Sequence, residues 1–298
     1  REELMREFSP KLSAHHSEII ANEALFKRID TLWQNRDELG LNVEEARVLM
    51  LTHRNFVRSG ASLQDAAKDR MKEIKSRLSV LGTDFSQNLL ADERNWFMPL
   101  SEADLEGLPD FLIAAAKAAA KEKGQDGAII TLSRSVVVPF LQFSPRRDLR
   151  EKAYLAWAAR GANGGEKDNR ALAREMLALR KEMAELLEFP DFASFKLETE
   201  MAKTPGNVRQ LLNDVWVRAK ERADQDAQIL TEMMHKEGVK GALEKWDWRF
   251  YAEKRRKAEH DLDESEVKPY FQLDQMIKAA FDCANRLFGL EFKNVDVP

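Results

Sequence analysis

Apolar residues recur at helical spacing along almost the whole chain, and the runs are bracketed by capping residues and by Pro or Gly stops. That pattern leaves room for little except an array of helices. It is most complete between Trp246 and Tyr270. Asp247 stands where it can cap the first free backbone N–H groups. Trp246 before it and Tyr251 four residues after it are spaced for a hydrophobic staple. The basic run Lys254 to Lys257 is expected on a water-facing side of this helix. Pro269 has no N–H and restricts the residue before it, so it stops the helix. Asp274 is then placed to cap a last helix.

Earlier in the chain, Ser9-Pro10 reads as a cap and a first helical turn. Asn42 with Glu45 reads as a capping box, and Gly60 as a stop. A long helix follows through Met71, Ile74, Leu78, Leu81 and Phe85. Residues 92–108 look irregular, with a turn at Ser101 to Asp104. Pro109 to Lys123 is Ala-rich and helical. The period then changes: Ala128 to Leu132 and Val136 to Phe140 are β-branched runs that predict a short hairpin, with Pro139 placing the second strand at an edge. Helical spacing resumes from Ser144-Pro145 through Trp157, from Lys167 to Leu187, after Asp191, and from Thr204-Pro205 to Met234. The expected fold is mostly α, a multi-helix array with one short β-hairpin near residues 128–140, in two regions, 1–143 and 144–298.

The 298 residues carry a net charge of −4, which gives no reason to expect a nucleic-acid partner. A hydrophobic content of 44% beside 33% charged residues suits a soluble globular protein with a sizeable core. No apolar run reaches the ~20 residues of a membrane span, so no membrane partner is expected. Cys283 is the only cysteine. It excludes an internal disulfide, points to a reducing compartment such as the cytoplasm, and is expected to be a small core residue. The chain starts at Arg1 and ends at Val297-Pro298, and both ends are expected to be cuts in something longer.

Several stretches, in order, resemble one known family. Trp246-Asp247-Trp248 with Phe250-Tyr251-Ala252-Glu253, Lys268-Pro269-Tyr270-Phe271 and Leu287-Phe288-Gly289 are similar to the thimet-oligopeptidase-like zinc metallopeptidases, above all to their peptidyl-dipeptidase branch. Ser59-Gly60 with Leu63, Phe85 to Leu89, Arg150 to Tyr154 with Arg160, Asp168-Asn169, Leu179 to Ala184 and Met201 to Pro205 add further matches. The resemblance implies a two-domain, channel-forming enzyme that admits short peptides. It also implies a zinc site on a His-Glu-x-x-His helix with a later Glu ligand, the first Glu serving as general base.

That helix is missing. None of His15, His16, His53, His235 and His260 has a second histidine four residues on. His15 and His16 are adjacent and point to different sides of a helix. In the family the motif lies downstream of the stretch matching Leu287-Phe288-Gly289, so no catalytic, cofactor-binding or metal-binding residue carries over. Zinc is implied for a full-length parent and none is expected in this chain.

Other candidates have plainer readings. His235 suits the negative end of a helix, and His260 suits an exposed surface. Asp224 and Asp226, or Asp263 and Glu264, sit among charges and read as caps or solvated groups. Gly161 to Gly165 lacks the strand and the Lys-Ser/Thr of a phosphate loop. The expected reading is the N-terminal channel wall of a peptidase acting on short peptides, as a monomer. The alternative is a non-catalytic helical peptide-binding or scaffold protein.

Overall fold

The structure is a computed structural model that describes Phe8, Lys11, Leu12, His15, residues 18–260 and residues 264–295. Ser9, Pro10, His16 and Asp263 lie outside those residues. The described elements are α1 (Glu23–Gln34), α2 (Val43–Arg58), α3 (Asp65–Asn95), β1 (Phe97–Leu100), α4 (Asp110–Glu122), β2 (Ala128–Thr131), α5 (Arg134–Phe143) and α6 (Arg147–Ala158). They continue with α7 (Asn169–Leu186), α8 (Phe192–Leu197), α9 (Pro205–Lys236), α10 (Trp248–His260), α11 (Glu264–Val267) and α12 (Leu273–Phe288). Two compact units emerge, Arg1–Asp92 with Ala159–Ala219 and Glu93–Ala158 with Lys220–Pro298. Each takes two separate stretches of chain, so the units cut across the division expected at residues 143/144.

In the first unit, the Asn42 carboxamide accepts from the Glu45 N–H and the Glu45 carboxylate accepts from the Asn42 N–H, both at 2.9 Å. This is the reciprocal box that the sequence announced. Helices α3 and α7 run antiparallel, because Arg70 pairs with Glu182 while Arg77 pairs with Glu175. Between them Met71, Ile74 and Met183 are buried with Leu78 and Leu179 against them. These positions recur at three- and four-residue steps, which is why a 31-residue helix forms here. Helix α7 ends with Glu188 in the left-handed region at φ 61°. The N–H groups of Glu188 and Phe189 close back onto the carbonyls of Glu185 and Ala184, the arrangement that usually takes Gly at this place.

In the second unit, β1 and β2 pair antiparallel with Phe97 opposite Thr131 and Leu100 opposite Ala128. The main core gathers around them, with Ile130, Leu112, Val137 and Phe140 essentially inaccessible. Here the expected hairpin is corrected. Ala128 to Thr131 is a strand, but its partner is Phe97–Leu100, inside the stretch expected to be irregular. Residues 136–140 belong to α5, with Pro139 inside the helix. Val136, Val137, Phe140 and Leu141 are all buried there. They share one side of a helix, and burial of that side outweighs the β-preference of the three valines at 136–138. A second core joins Leu230 and Met234 of α9 to Phe250 and Tyr251 of α10.

Helix α12 corrects two further expectations. Its first turn is preceded by Gln272, which makes no side-chain cap, and Asp274 lies within the helix. None of its residues is buried, and Cys283 is exposed rather than a core residue. Sequence periodicity reported an apolar side correctly, but among the described residues it stays largely open, with Phe292 laid against Phe281.

Replacing Glu188 by Gly should relieve the left-handed strain at α7. We expect a gain of about 0.5–1 kcal/mol and a rise of about 2 °C in melting temperature. Thermal unfolding followed by circular dichroism checks this, and an unchanged or lower midpoint would contradict it.

Candidate functional site

Within the second unit, two of the recognised stretches converge on one buried carboxylate. Asp247 precedes α10 and is fully inaccessible; Arg150, on α6, is 1% exposed. The Arg147 guanidinium donates to Asp247 through Nε at 3.0 and 3.1 Å and through Nη2 at 2.7 Å. Arg150 donates from Nη2 to Asp247 at 2.9 Å, from Nη1 to the Ser144 carbonyl at 2.7 Å, and from Nε to the Trp246 carbonyl at 3.1 Å. The Glu244 N–H also donates to the Asp247 carboxylate at 3.1 Å. The Arg150 guanidinium lies 4.1 Å from the centre of the Phe250 ring, a cation–π contact.

This corrects the cap reading of Asp247. Its carbonyl accepts from the Tyr251 N–H, but its carboxylate turns away from the helix to the two arginines. The staple is also replaced: Trp246 packs on the main core beside Tyr154, while Tyr251 packs in the second core. No local pattern could reveal the partnership, because Arg147 and Arg150 are about a hundred residues away. The available hint was their spacing, which puts both on one side of α6.

Burial pushes the Asp247 carboxyl up, but donation from Arg147, the Glu244 N–H and Arg150 outweighs it and holds the group below the usual carboxylate range. Burial pulls the Arg150 guanidinium down and Asp247 opposes that pull. An arginine starts so high that it stays charged. All three groups therefore remain ionised near neutrality, with no proton available to give or take. The cluster is a joint between α6 and the start of α10, not an acid–base pair.

The first unit has a comparable joint. Asn169 is buried; it donates to the Phe85 carbonyl at 3.0 Å and accepts from the Asn88 carboxamide at 2.9 Å. Its backbone N–H donates to the Gly161 carbonyl at 2.8 Å. Gly161 has φ 71°, and a Cβ there would come within 2.9 Å of the Asn169 carboxamide, so only Gly fits. The Phe85–Leu89 and Asp168-Asn169 stretches thus meet at one point, and Gly161 to Gly165 is a turn between α6 and α7. Elsewhere in this unit a cleft of about 770 Å3 lies beside α3. Lys72 and Lys75 stand at it, over a floor that includes Phe26, Met71 and Val80. Lys75 donates to the Ser59 carbonyl at 2.9 Å.

The remaining candidates are engaged structurally. His53 lies 3.0 Å from Asp30 and stacks on Trp33 at 5.0 Å. His235 bonds the Gly241 carbonyl at 2.9 Å. Asp224 pairs with Lys220, and Asp226 with Arg222 and Arg255. The basic run is more engaged than expected: Lys254 reaches Glu237, Arg255 reaches Asp226 and Glu259, and Arg256 reaches Glu253. Among the described residues, no three His, Cys, Asp or Glu side chains come together as a metal-binding group.

The profile of peptidase family M3 matches residues 140–297, a stretch that holds α6, α10, the Asp247 joint and α12. The chain belongs to peptidase family M3. It is 34% identical over 299 residues to dipeptidyl carboxypeptidase of Escherichia coli, covering 99% of this chain and 44% of that protein. It is 31% identical over 296 residues to oligopeptidase A of the same organism, covering 97% and 44% respectively. Against saccharolysin of Saccharomyces cerevisiae the identity is 24% over 294 residues, with 95% and 40% covered. The chain thus spans less than half the length of these M3 relatives.

Replacing Asp247 by Asn leaves the buried Arg150 guanidinium, with the half-exposed Arg147 beside it, facing a neutral partner. We expect a loss of about 3–5 kcal/mol, read as a lower denaturant midpoint. The folded Asp247 carboxyl titrates below its unfolded value near ~3.9. Its contribution is therefore complete above that value and is lost as pH falls through the folded one. The acid limb of the stability curve should be shallower in Asp247→Asn than in the parent chain.

Proposed function

We propose that this chain is the helical, substrate-facing part of a zinc metallopeptidase that cleaves short peptides, with release of dipeptides from the C-terminus as the favoured reaction. The observation that carries this reading is the 34% identity with a dipeptidyl carboxypeptidase along 99% of the chain. The oligopeptidase A match, at 31%, supports peptide cleavage in general. In this reading the chain forms much of one wall of a channel. It excludes folded proteins and holds a peptide in register, which raises the effective concentration at the reacting centre. The joints at Asp247 and Asn169 suit that role, since a wall positions a substrate only as well as its helices are fixed.

The zinc ligands and the general base belong, in this reading, outside these 298 residues. The protein acts as a monomer in the cytoplasm, and a lone, exposed Cys283 suits a reducing compartment. No helix among the described residues is long and apolar enough to cross a membrane.

The test is direct. The purified chain should hold no stoichiometric zinc by elemental analysis and should not hydrolyse a blocked tripeptide or tetrapeptide. A chimera that joins it to the remainder of the E. coli dipeptidyl carboxypeptidase should release C-terminal dipeptides and lose that activity with a chelator. One tight zinc in the isolated chain, or internal cleavage by the chimera, would overturn the corresponding part of the reading.

A further inference from the structure

Helix α12 carries an apolar stripe that is largely open. Leu273, Ile277, Phe281, Ala284 and Phe288 fall in one line at four-, four-, three- and four-residue steps, with Met276 beside it. Lys278, Asp282, Asn285 and Arg286 occupy the other side. Phe281 is 44% exposed and Phe288 74%. The two cores of the second unit close without any residue of this helix. The stripe is also continued by the chain after it. Gly289 turns at φ 68°, and Asn285 donates to the Leu290 carbonyl at 3.0 Å. Phe292 then lies flat on Phe281, with ring centres 4.2 Å apart and an interplanar angle of 11°. A returning segment that adds an aromatic ring to an exposed apolar face enlarges it rather than covering it. An apolar surface of this kind marks a contact with another polypeptide.

We propose that this stripe is the docking surface for the part of an M3 peptidase that lies outside the stretch matched here, an inference that rests on the peptidase reading above. Two observations select that occupant. Helix α12 lies within the family match at residues 140–297, so it belongs to the shared scaffold and not to an appendage. The chain also accounts for only 44% of the length of the E. coli dipeptidyl carboxypeptidase, so more than half of such a protein remains to supply the cover. A second copy of this chain fits less well. A homodimer joined only by a stripe ~24 Å long and ~10 Å wide would bury less than the ~1,200 Å2 at which stable interfaces begin.

Thiol protection tests this. Cys283→Ser removes the native thiol, and Ala284→Cys then places a reporter in the stripe. Lys278→Cys in the same background places one off the stripe, on the charged flank of the helix. In the isolated chain both should react with a maleimide, 284 the more slowly of the two because Ala284 is half-buried while Lys278 is exposed. Adding the remainder of the E. coli dipeptidyl carboxypeptidase, made cysteine-free, should slow labelling at 284 at least tenfold and leave 278 within twofold. The covalent chimera provides a second arrangement in case the separate remainder folds poorly. Absence of protection at 284 in both arrangements overturns the docking surface. So does protection that grows with the concentration of the isolated chain alone, which would assign the stripe to a second copy. Protection without peptide hydrolysis leaves the docking surface standing and sinks the peptidase reading; hydrolysis without protection does the reverse.

Discussion

A single buried carboxylate, Asp247, with two arginines on it, sets how the second unit is put together. Two charges taken out of water, Asp247 and Arg150, are costly even with the half-exposed Arg147 beside them, and a buried ion cluster is tolerated only where its hydrogen bonds are filled. Here they are: Arg150 spends its donors on Asp247 and on the carbonyls of Ser144 and Trp246. Those carbonyls come from the segment before α6 and the segment before α10. The cluster therefore fixes two chain ends that lie about a hundred residues apart in sequence. The apolar cores could tolerate a small slide of one helix along another. A bidentate guanidinium–carboxylate contact cannot, because its two N–H groups must meet two oxygens at once.

Much of the helical architecture was legible in the sequence. The Asn42–Glu45 box and the stop at Gly60 are local signals, and local signals survive folding. What was not legible depended on distant partners. Val136 to Phe140 has the composition of a strand, yet its environment is a core that accepts one side of a helix. Phe97 to Leu100 is too short to announce itself and is a strand only because Ala128 to Thr131 lies beside it. Asp247 has the sequence position of a cap, and the long-range pull of two guanidinium groups redirects it.

The residues that carry the family likeness turn out to be joints. Asp247 and Arg150 tie one unit; Asn88, Asn169 and Gly161 tie the other. None offers a reactive proton or an open coordination site. The family match at residues 140–297 includes one of these joints, the Asp247 cluster, which holds helices in place. The candidate site was legible in the sequence in this limited sense: its members were recognisable, but their mutual distances were not.

The interleaving of the two units has a consequence for synthesis. The first unit needs both Arg1–Asp92 and Ala159–Ala219. Met71 and Ile74 leave the ribosome long before Met183, their buried neighbour across the core. At the usual pace of translation, roughly 5–20 residues per second, the gap is about 5–20 s. During that interval the long helix α3 presents its apolar side to solvent without its companion. A nascent chain of this design depends on a chaperone, or on transient pairing with its own early helices, to keep that side from meeting a neighbouring polypeptide first.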